Sequence, residues 1–262
     1  MANSPARALI TGASSGIGKV YAEHLARMRH DLVLVARRKD RLESLAKALA
    51  DDHGVHVEVL VADLATSEGI ARVERRIEDG ERLAMVINNA GYAVRDPVAK
   101  LDPDALQQML TVNVIALSRL SHSAMQRMTK DGAGVIINIA SGTVFMQRPG
   151  NAGYGSSKSF VAHFTRHMQV EAEGTGVRVQ LLIPGVIATD FHAVAGTKLS
   201  DIPSERVMSA EDLVVASLRA LERGEPVCIP SLPDIHQWDA YVTAEQKLAA
   251  NVSKDHIAAR YR

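Results

Sequence analysis

Short runs of aliphatic and β-branched residues recur along this 262-residue chain, and each gives way to a longer amphipathic stretch. The runs predict strands at 6–10, 31–36, 55–61, 83–88, 135–140, 177–183 and 226–229. Helical periodicity predicts helices at 18–28, 40–50, 68–78, 103–128, 152–173 and 210–222. Several strand runs (LVLV, AMVIN, VIINI) are apolar throughout rather than alternating, as strands covered on both faces must be. Strand–helix alternation of this kind builds an α/β fold, a doubly wound parallel sheet, here of seven strands with helices on both faces. Right-handed crossovers then bring every strand's carboxyl end to one edge, where ligands bind. No fixed-period repeat, low-complexity tract or linker divides the chain, so 1–262 reads as a single domain. Two segments stand apart. Residues 190–209 mix polar and apolar side chains without a period and read as a substrate loop. Residues 239–262 form a C-terminal extension, helical at first (DAYVTAEQKLAA) and basic at its end (HIAARYR).

Charge and composition narrow the partners. Thirty basic residues balance thirty acidic ones, so nothing in the net charge draws the chain to nucleic acid or to an anionic membrane. The one cysteine, Cys228, excludes an internal disulfide and every multi-cysteine metal site. No apolar run nears the ~20 residues that span a bilayer, and the opening MANSPARALITG lacks the apolar core of a secretion signal. A soluble, cytoplasmic protein is the expectation.

The junction of the first strand and first helix reads Thr11-Gly12-Ala13-Ser14-Ser15-Gly16-Ile17-Gly18. Glycine suits a backbone that must turn with positive φ or approach a ligand closely. The free amides and dipole of the helix start favour a phosphate. The spacing is G-x-x-x-G-x-G rather than G-x-G-x-x-G, and its place at a strand–helix junction gives it meaning. The same residues also satisfy G-x-S-x-G, which would make Ser14 a hydrolase nucleophile. Only one strand precedes Ser14, fewer than that fold usually has, so the serine hydrolase is the weaker alternative.

Four ordered motifs now stand in the chain: TGASSGIG at 11–18, NNAG at 88–91, Ser141 with Tyr154-Gly-Ser-Ser-Lys158, and Pro184-Gly185. Together they resemble the short-chain dehydrogenase/reductase superfamily over residues 7–229. The resemblance implies a Rossmann-like fold, a nicotinamide cofactor and hydride transfer between a carbonyl and an alcohol. Tyr154 and Lys158 share one helix face, and a nearby ammonium is expected to favour the phenolate. That tunes Tyr154 as the acid/base at the substrate oxygen. Ser141 follows the fifth strand, where its hydroxyl can donate to the same oxygen. The resemblance further implies that Lys158 holds the nicotinamide ribose and that Asn113 supports a water joining the lysine to solvent. Intact Ser141, Tyr154, Lys158 and Asn113 argue against the other alternative, a non-catalytic dinucleotide-binding sensor or scaffold.

The second strand ends Val35-Ala36-Arg37-Arg38. An NAD enzyme is expected to carry an acid there for the ribose 2′-hydroxyl, whereas arginine accommodates a 2′-phosphate. NADP(H) is therefore expected, with NAD(H) possible and Arg37 the first candidate, Arg38 beside it. Ser15 departs from this pattern, since many NADP-preferring relatives carry a basic residue just before Gly16. Besides Gly12, Ser14, Ser15, Gly16, Ile17 and Gly18, the resemblance assigns cofactor contacts to Asp63 and Leu64, Asn89, Ala90 and Gly91, Tyr154 and Lys158, and Pro184, Gly185, Ile187 and Thr189. Asp63 reads equally as a turn residue.

Val144, Phe145, Met146, Gln147 and Phe191, with Ser141 and Tyr154, are expected to border a substrate pocket for a fairly apolar ketone, aldehyde or 3-oxoacyl compound. His163 and His167 have a spacing that could bind zinc, but no third ligand suggests itself, so no metal site is expected. In relatives the 103–128 and 152–173 helices form the subunit contact, which implies a homodimer or homotetramer. The partners expected are a small carbonyl or alcohol, with no nucleic acid and no membrane.

Overall fold

The structure, a computed structural model, describes residues 6–189, 191 and 198–262. The chain divides into two compact units, Met1–Pro230 and Ser231–Arg262.

In the first unit, β1 (Arg7–Thr11), β2 (Asp31–Ala36), β3 (Val57–Val61), β4 (Met85–Asn88), β5 (Gly134–Ile139), β6 (Val177–Leu182) and β9 (Val227–Cys228) form one sheet in the order β3-β2-β1-β4-β5-β6-β9. Every pairing is parallel. The order reverses on either side of β1, which opens a crevice between β1 and β4 at the carboxyl edge. A second ladder, β7 (Val186–Ile187) with β8 (Val207–Met208), is two residues long.

Alternate strand residues face opposite ways. Ala8, Ile10, Leu32, Leu34 and Ile87 pack with Tyr21 and Leu25 of α1 (Gly16–Arg27), Leu42 and Leu49 of α2 (Lys39–His53), and Leu213 and Val214 of α7 (Ala210–Glu222). Leu9, Val33, Val35, Val86 and Ile136 pack with Ile70 and Val73 of α3 (Ser67–Glu78), Leu120 and Met128 of α5 (Leu117–Asp131), and Met168 of α6 (Ala152–Glu171). This double cover explains the continuously apolar strands.

The expected helix over 103–128 is divided. α4 (Pro103–Leu110) passes through a π-helical segment, Thr111–Ala116, into α5. Asn113 lies in that segment and is fully buried. Of the expected substrate loop, residues 190 and 192–197 lie outside the described residues. Beyond them, 3-10 turns at Leu199–Asp201 and Ser204–Arg206 lead into β8. The second unit begins ahead of the extension expected at 239 and holds α8 (His236–Ala249), none of whose residues is buried.

Candidate active site

At the carboxyl end of β1 the chain turns through Gly12 (φ 68°) and Gly16 (φ 54°) into α1. A Cβ on Gly12 would lie 2.7 Å from Asn89 Nδ2, and one on Gly18 would lie 2.5 Å from the same atom, so side chains are excluded at both positions. Asn89 earns that closeness: its Nδ2 donates to the Thr11 carbonyl at 2.8 Å. Thr11 Oγ1 in turn accepts from the amides of Asn89 and Ala90, both at 3.0 Å. These bonds tie the turn after β1 to the turn after β4. Ser15 is the N-cap of α1 but makes no side-chain cap bond, and the first turn holds no acid. Its first amides are thus left to another acceptor.

The hydroxyls of Ser14 and Ser15 are engaged instead by Arg38. Its Nη2 donates to Ser14 Oγ and to Ser15 Oγ, each at 2.8 Å, and its Nε to Ser14 Oγ at 3.2 Å. Of the two adjacent arginines, Arg38 is the one bonded to the glycine turn. Arg37 is exposed, and its charge acts on the Tyr92 hydroxyl. A guanidinium holds no free base, so these contacts give Ser14 nothing that could take its proton. Asp63 Oδ1 accepts from the Ala65 amide at 3.0 Å, a local turn, and Leu64 is buried in the core. Thr189 lies against Gly16, its methyl 3.3 Å from where a Cβ would stand, while Ile187 is buried among core residues.

Ser141, Tyr154, Lys158 and Asn113 converge at the ends of β5 and α6. Ser141 and Tyr154 are both buried, and the serine side chain lies near enough to pull the phenol's pKa down. The Thr143 amide donates to Ser141 Oγ at 3.3 Å, and the Gly142 amide donates to the Pro184 carbonyl at 2.7 Å, fixing the turn that presents the serine. Lys158 Nζ donates to the Ile139 carbonyl at 2.8 Å and stands 5.9 Å from the Tyr154 ring centre. Gly91 leaves room for both, since a Cβ there would come within 3.0 Å of Asn113 Oδ1 and 3.4 Å of Lys158 Nζ. Asn113 Nδ2 donates to the Tyr92 carbonyl (2.9 Å) and to Ser157 Oγ (3.1 Å), and its Oδ1 accepts from the Tyr92 amide. Ser157 Oγ donates to the Tyr154 carbonyl at 2.7 Å, which closes the link from the π segment to α6.

The electrostatics correct one expectation. Burial pushes the Tyr154 phenol up to about 12, against the downward pull of the Ser141 side chain and the Arg95 charge. Burial also lowers the Lys158 ammonium to about 8. Desolvation is the largest influence on both groups, so Tyr154 stays protonated in the protein alone.

Phe191 stands 5.6 Å from Tyr154, ring centre to ring centre. Val144, Phe145, Met146 and Gln147 lie in the turn and loop directly after Ser141, with Phe145 and Met146 exposed. Sequence reading passed over Thr11 and Ser157, though both sit inside the quoted motifs, and over Arg95, which no motif marks. His163 and His167 face each other on the outer side of α6, Nε2 to Nε2 3.1 Å, and no third His, Cys or carboxylate joins them among the described residues.

Residues 6–199 match the family model described as short chain dehydrogenase. A short-chain dehydrogenase from Sphingobium yanoikuyae in complex with NADPH is 39% identical with a TM-score of 0.93, covering 98% of this chain and all of that one. The bulky-bulky ketone specific alcohol dehydrogenase from Comamonas testosteroni is 33% identical with a TM-score of 0.90, covering 99% of each chain. Both alignments extend into residues 239–262, so this stretch has counterparts in those proteins. The human protein named inactive hydroxysteroid dehydrogenase-like protein 1 is 32% identical over 188 residues, 71% of this chain but 57% of that one.

Proposed function

The chain belongs to the short-chain dehydrogenase/reductase family, and on that premise we propose that it is an NADP(H)-dependent oxidoreductase that interconverts a ketone or aldehyde and its alcohol. The observation that carries this reading is the gathering of buried Ser141, Tyr154 and Lys158, the lysine Nζ 5.9 Å from the tyrosine ring centre, at the edge where the glycine turn opens. The residues fit the cofactor. The uncapped start of α1 suits a pyrophosphate, and Arg38, held on Ser14 and Ser15 where β2 ends without an acid, suits a ribose 2′-phosphate. Gly91, Asn113 and Lys158 would form the floor of the nicotinamide side.

The bound dinucleotide supplies the hydride. The protein's task is the proton and the carbonyl's position. Ser141 Oγ donates to the carbonyl oxygen and holds it beside Tyr154. Tyr154, protonated because burial raises it, gives its phenolic proton to that oxygen as an alkoxide develops, and takes it back in oxidation. Lys158, anchored on the Ile139 carbonyl, favours the phenolate left behind.

A second reading, dinucleotide binding without turnover, draws on the human relative named inactive. We further propose a cytoplasmic homodimer or homotetramer. Exposed Phe160 and Val170 on α6 support self-association, and a single buried cysteine leaves an oxidising compartment no internal disulfide to form.

Titration with NADPH and NADH, followed by nicotinamide fluorescence, tests the cofactor. NADPH is expected to bind more tightly, and Arg38→Ala to weaken it roughly 10- to 100-fold, the worth of a charge-assisted contact, with a smaller effect from Arg37→Ala. Equal binding of both nucleotides would overturn the preference. Tyr154→Phe is expected to lower turnover by about 10²- to 10⁴-fold with NADPH still bound. Unchanged turnover would remove Tyr154 from the chemistry, and no turnover in the unaltered protein with any ketone would favour the second reading.

A further inference from the structure

Resting on the reading above and narrowing its substrate, we propose that the site is built for ketones bearing a carboxylate, which Arg95 receives. Arg95 directly follows Tyr92, Ala93 and Val94, and all three pack in the small cluster around Tyr154 with Leu106, Met109 and Phe191. The Val94 amide donates to Met109 Sδ at 3.2 Å, which fixes the backbone just before the arginine. Arg95 is half-buried, and its Nε is shut off from solvent without an acceptor among the described residues. Val94, the residue before it, packs in the cluster that holds Tyr154, and the Arg95 charge acts on the Tyr154 phenol.

A guanidinium is always charged, and an N–H buried without a partner costs about 1–3 kcal/mol. The cluster that holds Val94, its chain neighbour, includes the hydrocarbon side chains of Leu106 and Phe191 and contains no carboxylate. A planar two-oxygen anion answers the fork of donors best. The cofactor's phosphates belong elsewhere, on the turn after β1 beside Arg38, whereas Arg95 lies in the loop after β4. The substrate that meets all these surfaces has an apolar body against Phe191 and Val94, a carbonyl at Ser141 and Tyr154, and a carboxylate at Arg95.

The test compares 4-oxo-4-phenylbutanoate with its methyl ester, the same body with and without the charge. With NADPH, the acid is expected to exceed the ester in kcat/KM by about tenfold or more. Arg95→Ala should collapse that ratio to near one, and Arg95→Lys should keep part of it, since it retains the charge and loses the fork. A second measurement avoids turnover: in the Tyr154→Phe protein loaded with NADPH, adding Arg95→Ala should weaken acid binding by about tenfold, read from nicotinamide fluorescence. An acid-to-ester ratio near one in the unaltered protein, or a ratio that survives Arg95→Ala, overturns the proposal. So does a loss of NADPH affinity in Arg95→Ala with the ratio intact, which would put Arg95 on the cofactor. Reduction of the ester with no preference for the acid sinks Arg95's role alone. Failure to bind any nicotinamide nucleotide removes the function it rests on as well.

Discussion

Tyr154 and Lys158 lie four residues apart, both nearly inaccessible at 6% and 4%, and burial drives each towards its neutral form. The two have opposite consequences for stability against pH. Between about 8 and 10.5 the folded chain has released the Lys158 proton while the unfolded chain still holds it, so stability rises with pH through that window. Below 8 the cost of burying the ammonium is fully present. The fall from 10.5 to about 8, at 1.36 kcal/mol for each pH unit, makes that cost about 3 kcal/mol. Tyr154 works the other way: between 10 and about 12 the folded chain keeps a proton the unfolded chain loses, so stability falls there as pH rises. Lys158→Met is therefore expected to unfold at higher urea than the unaltered protein at pH 7, with the gap shrinking by pH 10. A gap that does not change with pH would show the ammonium to be solvated. Sequence spacing put these two groups side by side, but their neutral bias was not legible in it. Burial is a property of the whole surround, and spacing reports only the attraction between the pair.

The elements that carry the site are held by polar contacts that periodicity does not register. Asn88 of β4 and Asn138 of β5 are paired residues in the sheet, and both are buried. Asn88 Nδ2 donates to Asn138 Oδ1 (2.9 Å) and Ser121 Oγ (3.0 Å), while Asn138 Nδ2 donates to Thr165 Oγ1 (3.1 Å). Two central strands are thereby bonded to α5, which follows the Asn113 segment, and to α6, which carries Tyr154. Asn138→Ala leaves several of these buried groups unpaired and is expected to cost about 2–4 kcal/mol, read as a lower urea midpoint with an unchanged slope. A loss under 1 kcal/mol would mean that water replaces the amide. The seven sheet strands were legible, to within a residue or two at most ends, because each is a short aliphatic-rich run, several of them apolar on both faces. The π segment was not. Thr111–Ala116 keeps its buried residues on the core side through a widened turn, so the hydrophobic pattern runs on from 103 to 128 as if the helix were regular. The β7–β8 ladder escaped for a simpler reason: two residues are too few to show alternation.

For the molecule as a whole, the parallel sheet does the gathering. Gly12 and Thr189 are far apart in the chain, and both reach the same carboxyl edge because every sheet strand points that way. The motifs were therefore enough to assemble the site in outline from sequence. What they could not supply was choice between neighbours: whether Arg37 or Arg38 turns onto Ser14 depends on how the chain leaves β2, and Arg95 belongs to no motif at all. A cofactor that binds across this edge must contact the ends of several strands at once, so its binding is expected to stabilise the fold globally. At one hundred times its dissociation constant a ligand adds about 2.7 kcal/mol, which for a domain of this size raises Tm by roughly 5–10 °C. Scanning calorimetry with NADPH is expected to show a rise of that order, NADH at the same concentration a smaller one, and Arg38→Ala little difference between the two. Tyr154→Phe should keep the NADPH rise, because the phenol's task is the proton and not the hold on the nucleotide. Loss of the rise in Tyr154→Phe would make the tyrosine a structural support of the cofactor site. Equal rises from both nucleotides would detach Arg38 from the 2′-phosphate and leave it a brace for the glycine turn.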